Sequence, residues 1–210
     1  MQRTRIKICG ITRPQDGLVA ARAGADAIGL VFHAASARAV SVAQARAICQ
    51  VLPPFVSVVG LLVNPEARSL RNILDALQLD LLQFHGDESA GFCNDFGRPW
   101  VKAIRIHGPG VFESAQNTYD GASGILADAY DPDHYGGTGR TFNWDWLPAE
   151  PAKPLILAGG LRPENVAEAV RRVQPWAVDV SGGVETGPGV KSPELIQNFI
   201  REVIQSDETD

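Results

Sequence analysis

Short apolar runs alternate along the chain with segments in which apolar residues recur at helical spacing. The runs predict strands, and the segments predict amphipathic helices. We predict strands at residues 6–9, 27–32, 56–62, 81–85, 100–106, 124–128, 155–158 and 178–181. We predict helices at residues 16–23, 42–52, 66–77, 165–173 and 194–204, with less regular helical segments at 89–96 and 143–147.

This alternation indicates parallel β–α units. The run at 56–62 is almost continuously apolar, as parallel strands covered by helices usually are. Eight units follow one another with no change in composition that would mark a linker. We therefore predict an α/β fold, a single (β/α)8 TIM barrel over residues 1–210, with a polar tail at 205–210 that frays. An open doubly wound sheet is the alternative.

Composition narrows the classes of partner. The 210 residues carry a net charge of -5, and their lysines and arginines are scattered rather than clustered. A nucleic-acid-binding surface is therefore not indicated. The most apolar long stretch, 51–63, is interrupted by Pro53 and Pro54, and the N-terminus lacks the apolar core of a signal peptide. We expect a cytoplasmic protein with no membrane partner.

The three cysteines, Cys9, Cys49 and Cys93, are far apart and form no CxxC pair. Their odd number argues against a disulfide framework, and their spacing argues against a structural zinc site. Free thiols suit a reducing cytoplasm.

Candidate chemistry lies at the predicted strand ends. Cys9 ends the first strand on the same face as Lys7, and a nearby cation lowers the pKa of a thiol. Asp128 ends the sixth strand, His85 ends the fourth, and Arg38 lies in the loop after the second. Each alone has an ordinary structural explanation. Because strand ends of a barrel converge on the active site, their coincidence favours a thiolate base and a carboxyl acid in one cavity.

Glycines follow the last two strands. Gly159 and Gly160 end the seventh strand, and Gly182 and Gly183 follow Ser181 at the end of the eighth. Glycine lets backbone N–H groups approach a phosphate closely, and barrels often hold phosphate after strands seven and eight. These residues are predicted to cradle a phosphate.

Six motifs follow one another across nearly the whole chain. They are KICGIT at 7–12, SAR at 36–38, QFHG at 83–86, GGTG at 136–139 leading to FNW at 142–144, GGLRPENV at 159–166 and VDVS at 178–181. In this order they resemble the signature of the phosphoribosylanthranilate isomerase family. The resemblance implies a barrel without metal or cofactor, and an Amadori rearrangement of phosphoribosylanthranilate to 1-(2-carboxyphenylamino)-1-deoxyribulose 5-phosphate in tryptophan biosynthesis.

The resemblance also assigns roles. It makes Cys9 the general base and Asp128 the general acid, and it places Arg38 at the anthranilate carboxylate with His85 nearby. It implies a phosphate cradle formed by Gly159, Gly160, Ser181, Gly182 and Gly183. Apart from the resemblance, the glycine-rich composition of segment 135–142 predicts either a loop that covers the substrate or a plain mobile connector.

Three positions depart from the family pattern. Gly182 stands where a second serine is common, Ser192 where an aspartate is common, and Ala127 where a leucine is usual. The first change removes one hydroxyl but keeps the backbone N–H groups, and the second is expected to affect only a helix cap.

Other functions remain open from the residues alone. A sugar-phosphate lyase or aldolase would use a Schiff-base lysine, for which Lys7 is the candidate. A non-catalytic barrel could bind a phosphorylated ligand as a sensor. The expected assembly is a monomer or a homodimer.

Overall fold

A computed structural model describes residues 3–129 and 141–208, and in it eight parallel strands close into a barrel in chain order. Each strand pairs with its sequence neighbour, and the last pairs with the first. The strands are β1 (Arg5–Cys9), β2 (Ala27–Val31), β3 (Ser57–Leu62), β4 (Leu81–Phe84), β5 (Trp100–Ile106), β6 (Gly124–Ala129), β7 (Leu155–Leu157) and β8 (Ala177–Val180). The predicted TIM barrel is confirmed, and the open sheet is wrong.

Helices connect the strands on the outside. They are α1 (Pro14–Ala23), α2 (Val42–Gln50), α3 (Ala67–Ala76), α4 (Ala90–Asn94), α5 (Val111–Thr118), α6 (Pro163–Val173) and α7 (Pro193–Glu208). Between β6 and β7, the described residues contain only a three-residue 3-10 helix, Trp144–Trp146. A small antiparallel hairpin of β9 (Glu185–Gly187) and β10 (Val190–Lys191) follows β8.

Helix boundaries follow local signals. Ser41 begins α2 with a capping box, in which its side chain and that of Gln44 bond each other's backbone N–H groups. Pro14 begins α1, and Gly24 ends it at φ 108° in the left-handed region. None of the helices in the described ranges is both long enough and apolar enough to cross a membrane.

Two segments differ from the sequence-based expectation. Helix α5 was not predicted. It is short and buries only Phe112, Ala115 and Gln116, so its sequence has no clear helical repeat of apolar residues. Helix α7 continues to Glu208, so residues 205–208 are helical, whereas the predicted helix ended at residue 204. Within it, Ser206 is buried and Asp207 accepts hydrogen bonds from Thr4.

The alternation of β1 separates two environments. Ile6 and Ile8 point outwards into the main apolar core between barrel and helices. Cys9 belongs instead to a small cluster with Val31 and Leu61. The strands therefore present a packed layer on one face and the functional side chains on the other.

Candidate active site

The residues selected from the sequence come together at one cavity, where the carboxyl ends of the barrel strands meet. Among the residues lining it are Cys9, Arg38, His85, Asp128, Gly159, Gly160, Ser181, Gly182 and Gly183. Cys9 ends β1, and Asp128 lies near the end of β6. Two groups suited to proton transfer thus face the same space from different sides of the barrel.

The surroundings of Cys9 include an ion pair that links β1 to β8. Lys7 Nζ lies 2.8 Å from Asp179 Oδ1, and both side chains are buried. A Cβ on Gly29 of β2 would lie 2.8 Å from Cys9 Sγ and 3.1 Å from Lys7 Nζ. The missing side chain therefore leaves the space that these two groups occupy.

The expected low pKa of Cys9 is not what this environment produces. Burial raises the pKa of the Cys9 thiol above its ordinary value, and Asp179 adds to the rise, although the charge of Lys7 opposes both. The ammonium of Lys7 is already balanced by Asp179, which weakens its effect on the thiol.

Asp179 was not selected from the sequence, although it lies in the VDVS motif. Its signal was a carboxylate in the middle of an otherwise apolar strand, AVDV. Such a group must find a charged partner inside the barrel, because burial of an isolated carboxylate is costly.

Asp128 is held by hydrogen bonds at both oxygens. Its Oδ1 accepts from the N–H of Ala129 at 2.8 Å, and its Oδ2 lies 3.1 Å from His85 Nε2. The other ring nitrogen of His85 lies 3.1 Å from the amide nitrogen of Gln83, which donates to it. In this arrangement the imidazole carries its proton on Nε2 and donates it towards Asp128.

The loops after β7 and β8 form the glycine-rich wall of the cavity. Gly159 and Gly160 have φ angles of 82° and 65°, which favour glycine. A Cβ on Gly183 would lie 2.0 Å from the carbonyl oxygen of Leu161. Gly160 is thus required by its conformation, whereas Gly183 is required by the close approach of the neighbouring loop.

Arg38 is paired with a carboxylate that sequence reasoning missed. Its Nε and Nη2 donate to the two oxygens of Glu185 at 2.9 and 2.8 Å. Lys191 Nζ donates to the same carboxylate at 2.7 Å. Burial alone would raise the pKa of Glu185, but Arg38 and Lys191 lower it overall.

Comparison with known protein families gives a match over most of the chain. A family model described as N-(5'-phosphoribosyl)anthranilate isomerase matches residues 6–202. The chain belongs to the phosphoribosylanthranilate isomerase family. It is therefore an enzyme of an isomerase family, and the sensor alternative is set aside.

Individual members of the family cover the whole barrel. An N-(5'-phosphoribosyl)anthranilate isomerase of Pseudomonas fluorescens is 56% identical over 209 residues, which span 100% of each chain. A crystal structure of monomers of the dimeric isomerase from Thermotoga maritima has a TM-score of 0.84 and 36% identity, covering 95% of this chain and 98% of the other. A family structure in complex with reduced 1-(o-carboxyphenylamino)-1-deoxyribulose 5-phosphate has a TM-score of 0.81 and 37% identity, with coverage of 95% and 98%.

The departures from the phosphoribosylanthranilate isomerase pattern have local effects. The hydroxyl of Ser192 accepts a hydrogen bond at 3.3 Å from the N–H of Leu195, so it still caps α7. Ala127 is fully buried in the core outside the barrel. The GGTG motif at 136–139 lies outside the described residues.

The site geometry also bears on the aldolase alternative and on metal binding. Burial lowers the pKa of Lys7, but Asp179 and Cys9 outweigh burial and raise the pKa overall, which disfavours the neutral amine that a Schiff base requires. Over residues 3–129 and 141–208, no three His, Cys, Asp or Glu side chains are grouped as metal ligands.

Proposed function

We propose that this protein catalyses the Amadori rearrangement of N-(5'-phosphoribosyl)anthranilate to 1-(2-carboxyphenylamino)-1-deoxyribulose 5-phosphate in L-tryptophan biosynthesis. In this reaction Cys9 is the general base and Asp128 the general acid. The observation that carries the proposal is that a strand-end thiol and a strand-end carboxyl share one cavity with Arg38 and the two glycine loops. The proposed location is the cytoplasm, which suits the free thiols of Cys9, Cys49 and Cys93.

The substrate has two anionic ends, and the cavity offers a matching group for each. The glycine loops after β7 and β8 offer backbone N–H groups to the phosphate. Arg38 offers its guanidinium to the anthranilate carboxylate, a geometry that favours two parallel hydrogen bonds. The sugar then spans the space between Cys9 and Asp128.

The first half of the reaction opens the furanose ring. Asp128 gives a proton to the ring oxygen, the C1′–O4′ bond breaks, and a Schiff base forms between C1′ and the anilino nitrogen. The hydrogen bond from His85 keeps the carboxyl in place for this transfer. Protonation of a leaving oxygen by a positioned acid contributes about 10²- to 10⁴-fold to a rate.

The second half moves a proton from carbon. The Cys9 thiolate removes the C2′ proton, and the electron pair of that C–H bond flows to the nitrogen to give an enolamine. One proton added at C1′ and one lost from the 2′-hydroxyl then give the ketone. Lys7 stabilises the thiolate as it forms, because its charge favours the anionic sulfur.

The assignment is tested by following the loss of anthranilate-type fluorescence in purified variants. We expect Cys9→Ser and Asp128→Asn each to lose at least about 10²-fold in kcat, because a hydroxyl is a poorer base and an amide delivers no proton. Cys49→Ser is the matched control, since this half-buried thiol lies outside the cavity. Parent-like rates in a folded Cys9→Ser or Asp128→Asn would reject the assigned role.

The proposed partner is a small phosphorylated substrate. The assembly is proposed to be a monomer or a homodimer, and light scattering of the purified protein would distinguish them.

A further inference from the structure

A buried carboxylate connects Arg38, which lines the cavity, to the hairpin after β8. Glu185, in β9, accepts two hydrogen bonds from Arg38 and one from Lys191. The side chains of Glu185 and Lys191 are 5% and 0% exposed, so water does not compete for these bonds. The hairpin after β8 thus holds an arginine that comes from the loop after β2.

We propose that Glu185 is a positioning residue that orients Arg38 for the carboxylate of the substrate. This inference rests on the proposed function, in which Arg38 binds that carboxylate. It concerns a residue that neither contacts the reacting atoms nor transfers a proton.

The geometry of the guanidinium supports this role. Glu185 occupies the edge formed by Nε and Nη2, which leaves the edge formed by Nη1 and Nη2 for a second carboxylate. Within the described residues, Nη1 of Arg38 has no hydrogen-bond partner. A guanidinium held in this way loses little freedom when substrate binds, and such preorganisation strengthens binding.

The approach of Arg38 is also fixed from below. A Cβ on Gly10 would lie 2.6 Å from Arg38 Cδ, so the arginine stem passes directly over this glycine. Together, the contact of the aliphatic stem with Gly10 and the hydrogen bonds to Glu185 restrict the orientation of the guanidinium.

Lys191 extends the contact to the phosphate side. Its Nζ donates to the carbonyl oxygen of Ser181 at 3.0 Å and lies 3.4 Å from the Ser181 hydroxyl. Two cations and one carboxylate leave this cluster with a net positive charge beside a cavity proposed to bind a dianionic phosphate and a carboxylate. Glu185 therefore orders both cations without cancelling their attraction for the substrate.

The hairpin has other attachments, so its position does not depend on Glu185 alone. The hydroxyl of Thr12 donates to the carbonyl of Gly189, and the N–H of Lys191 donates to Asp16 at 3.2 Å. Replacing the carboxylate of Glu185 with an amide is therefore expected to leave the hairpin in place.

The test compares two substrates that differ only in the group that Arg38 is proposed to bind. Values of kcat/KM are measured with phosphoribosylanthranilate and with the same sugar phosphate bearing aniline. We expect Glu185→Gln to lower the ratio of the two values by roughly tenfold, mainly through KM for the first substrate, because one guanidinium hydrogen bond is misaligned. Arg38→Ala should lower the ratio at least as much, and Glu185→Gln should add nothing in that background.

Matched variants separate positioning from folding. Thr186→Val, at the exposed neighbour of Glu185, should keep the parent ratio. Glu185→Asp keeps the charge but shortens the side chain by one methylene, so an intermediate ratio is expected. If Glu185→Gln does not fold, Glu185→Asp replaces it in the test.

Three results would overturn the inference. An unchanged ratio in a folded Glu185→Gln would show that Arg38 is not oriented by Glu185. An equal loss with both substrates would show a merely structural role. A parent enzyme that turns over neither substrate would overturn the proposed function and this inference together, and it is recognised before any variant is made.

Discussion

The Cys9 thiol lies near the ammonium of Lys7, which is already paired with Asp179. Asp179 raises the pKa of Cys9 directly and also engages the ammonium of Lys7. Removing the charge of Asp179 should therefore lower the pKa of the thiol and increase the thiolate fraction at pH 7. The pairing matters for function because the proposed base must lose its proton before it can act.

We predict that Asp179→Asn makes Cys9 react faster with iodoacetamide at pH 7. A lower pKa raises the thiolate fraction more than it reduces the nucleophilicity of each thiolate, so we expect a net gain of about threefold in rate. Peptide-resolved mass spectrometry measures the rate, with Cys49 in the same sample as internal control. In the parent, the rate at Cys9 should keep rising with pH beyond the ordinary thiol pKa of about 8.5. An unchanged rate at Cys9 would mean that Asp179 does not control this thiol.

The pattern of the sequence predicted that Cys9 and Asp128 line one cavity, because strand ends of a barrel converge whatever the loops do, whereas Arg38 reaches the cavity from the loop after β2. It could not locate the partners that tune them. Asp179 lies 172 residues from Lys7 in sequence, and Glu185 lies 147 residues from Arg38. Such pairs form only when β8 closes against β1, so no spacing within a short stretch of sequence predicts them. For the same reason, the sequence alone overestimates how far Lys7 lowers the pKa of Cys9.

The loops after β7 and β8 pack closely against each other, with Gly183 facing the carbonyl group of Leu161. We predict that Gly183→Ala weakens inhibition by inorganic phosphate roughly tenfold, because a Cβ placed 2.0 Å from the Leu161 carbonyl must push the two loops apart. A tenfold loss corresponds to about one hydrogen bond to a charged group. Gly187→Ala is the matched control, since nothing lies within 4 Å of the Cβ it would carry. If the two variants have the same phosphate inhibition constant, the phosphate site lies elsewhere.

The hairpin of β9 and β10 should make stability depend on pH. Burial alone would raise the pKa of Glu185, but Arg38 and Lys191 lower it overall in the folded protein. The stabilisation is therefore present above the unfolded-state pKa, about 4.3, and is lost as pH falls through the lower folded value. We predict that urea-unfolding free energy falls less steeply with acidification below about pH 5 in Glu185→Gln than in the parent. Equal slopes in the two proteins would contradict this assignment.

Closure of the barrel was predictable because the eight apolar runs recur with helical segments between them, and parallel strands need such crossovers. The end of the chain was not predictable on the same grounds. The tail is polar, which predicts fraying, whereas here Asp207 accepts hydrogen bonds from Thr4, just before the first strand. In this last segment, hydrogen bonds replace apolar contacts, so the helical pattern of apolar residues weakens. Hydropathy alone does not predict such hydrogen bonds.

The attachment of α7 to the start of β1 leads to the final prediction. The carboxylate of Asp207 accepts hydrogen bonds from the backbone N–H of Thr4 at 2.8 Å and from its hydroxyl at 2.7 Å. We predict that Asp207→Ala lowers the free energy of urea unfolding by about 1–3 kcal/mol, because the buried Thr4 loses two charge-assisted bonds. Glu208→Ala, at an exposed neighbour, should have little effect. Both variants should keep the parent kcat/KM, since Thr4 lies at the end of the barrel opposite the cavity. An Asp207→Ala protein as stable as the parent would instead mean that the bonds between Asp207 and Thr4 do not anchor the end of α7.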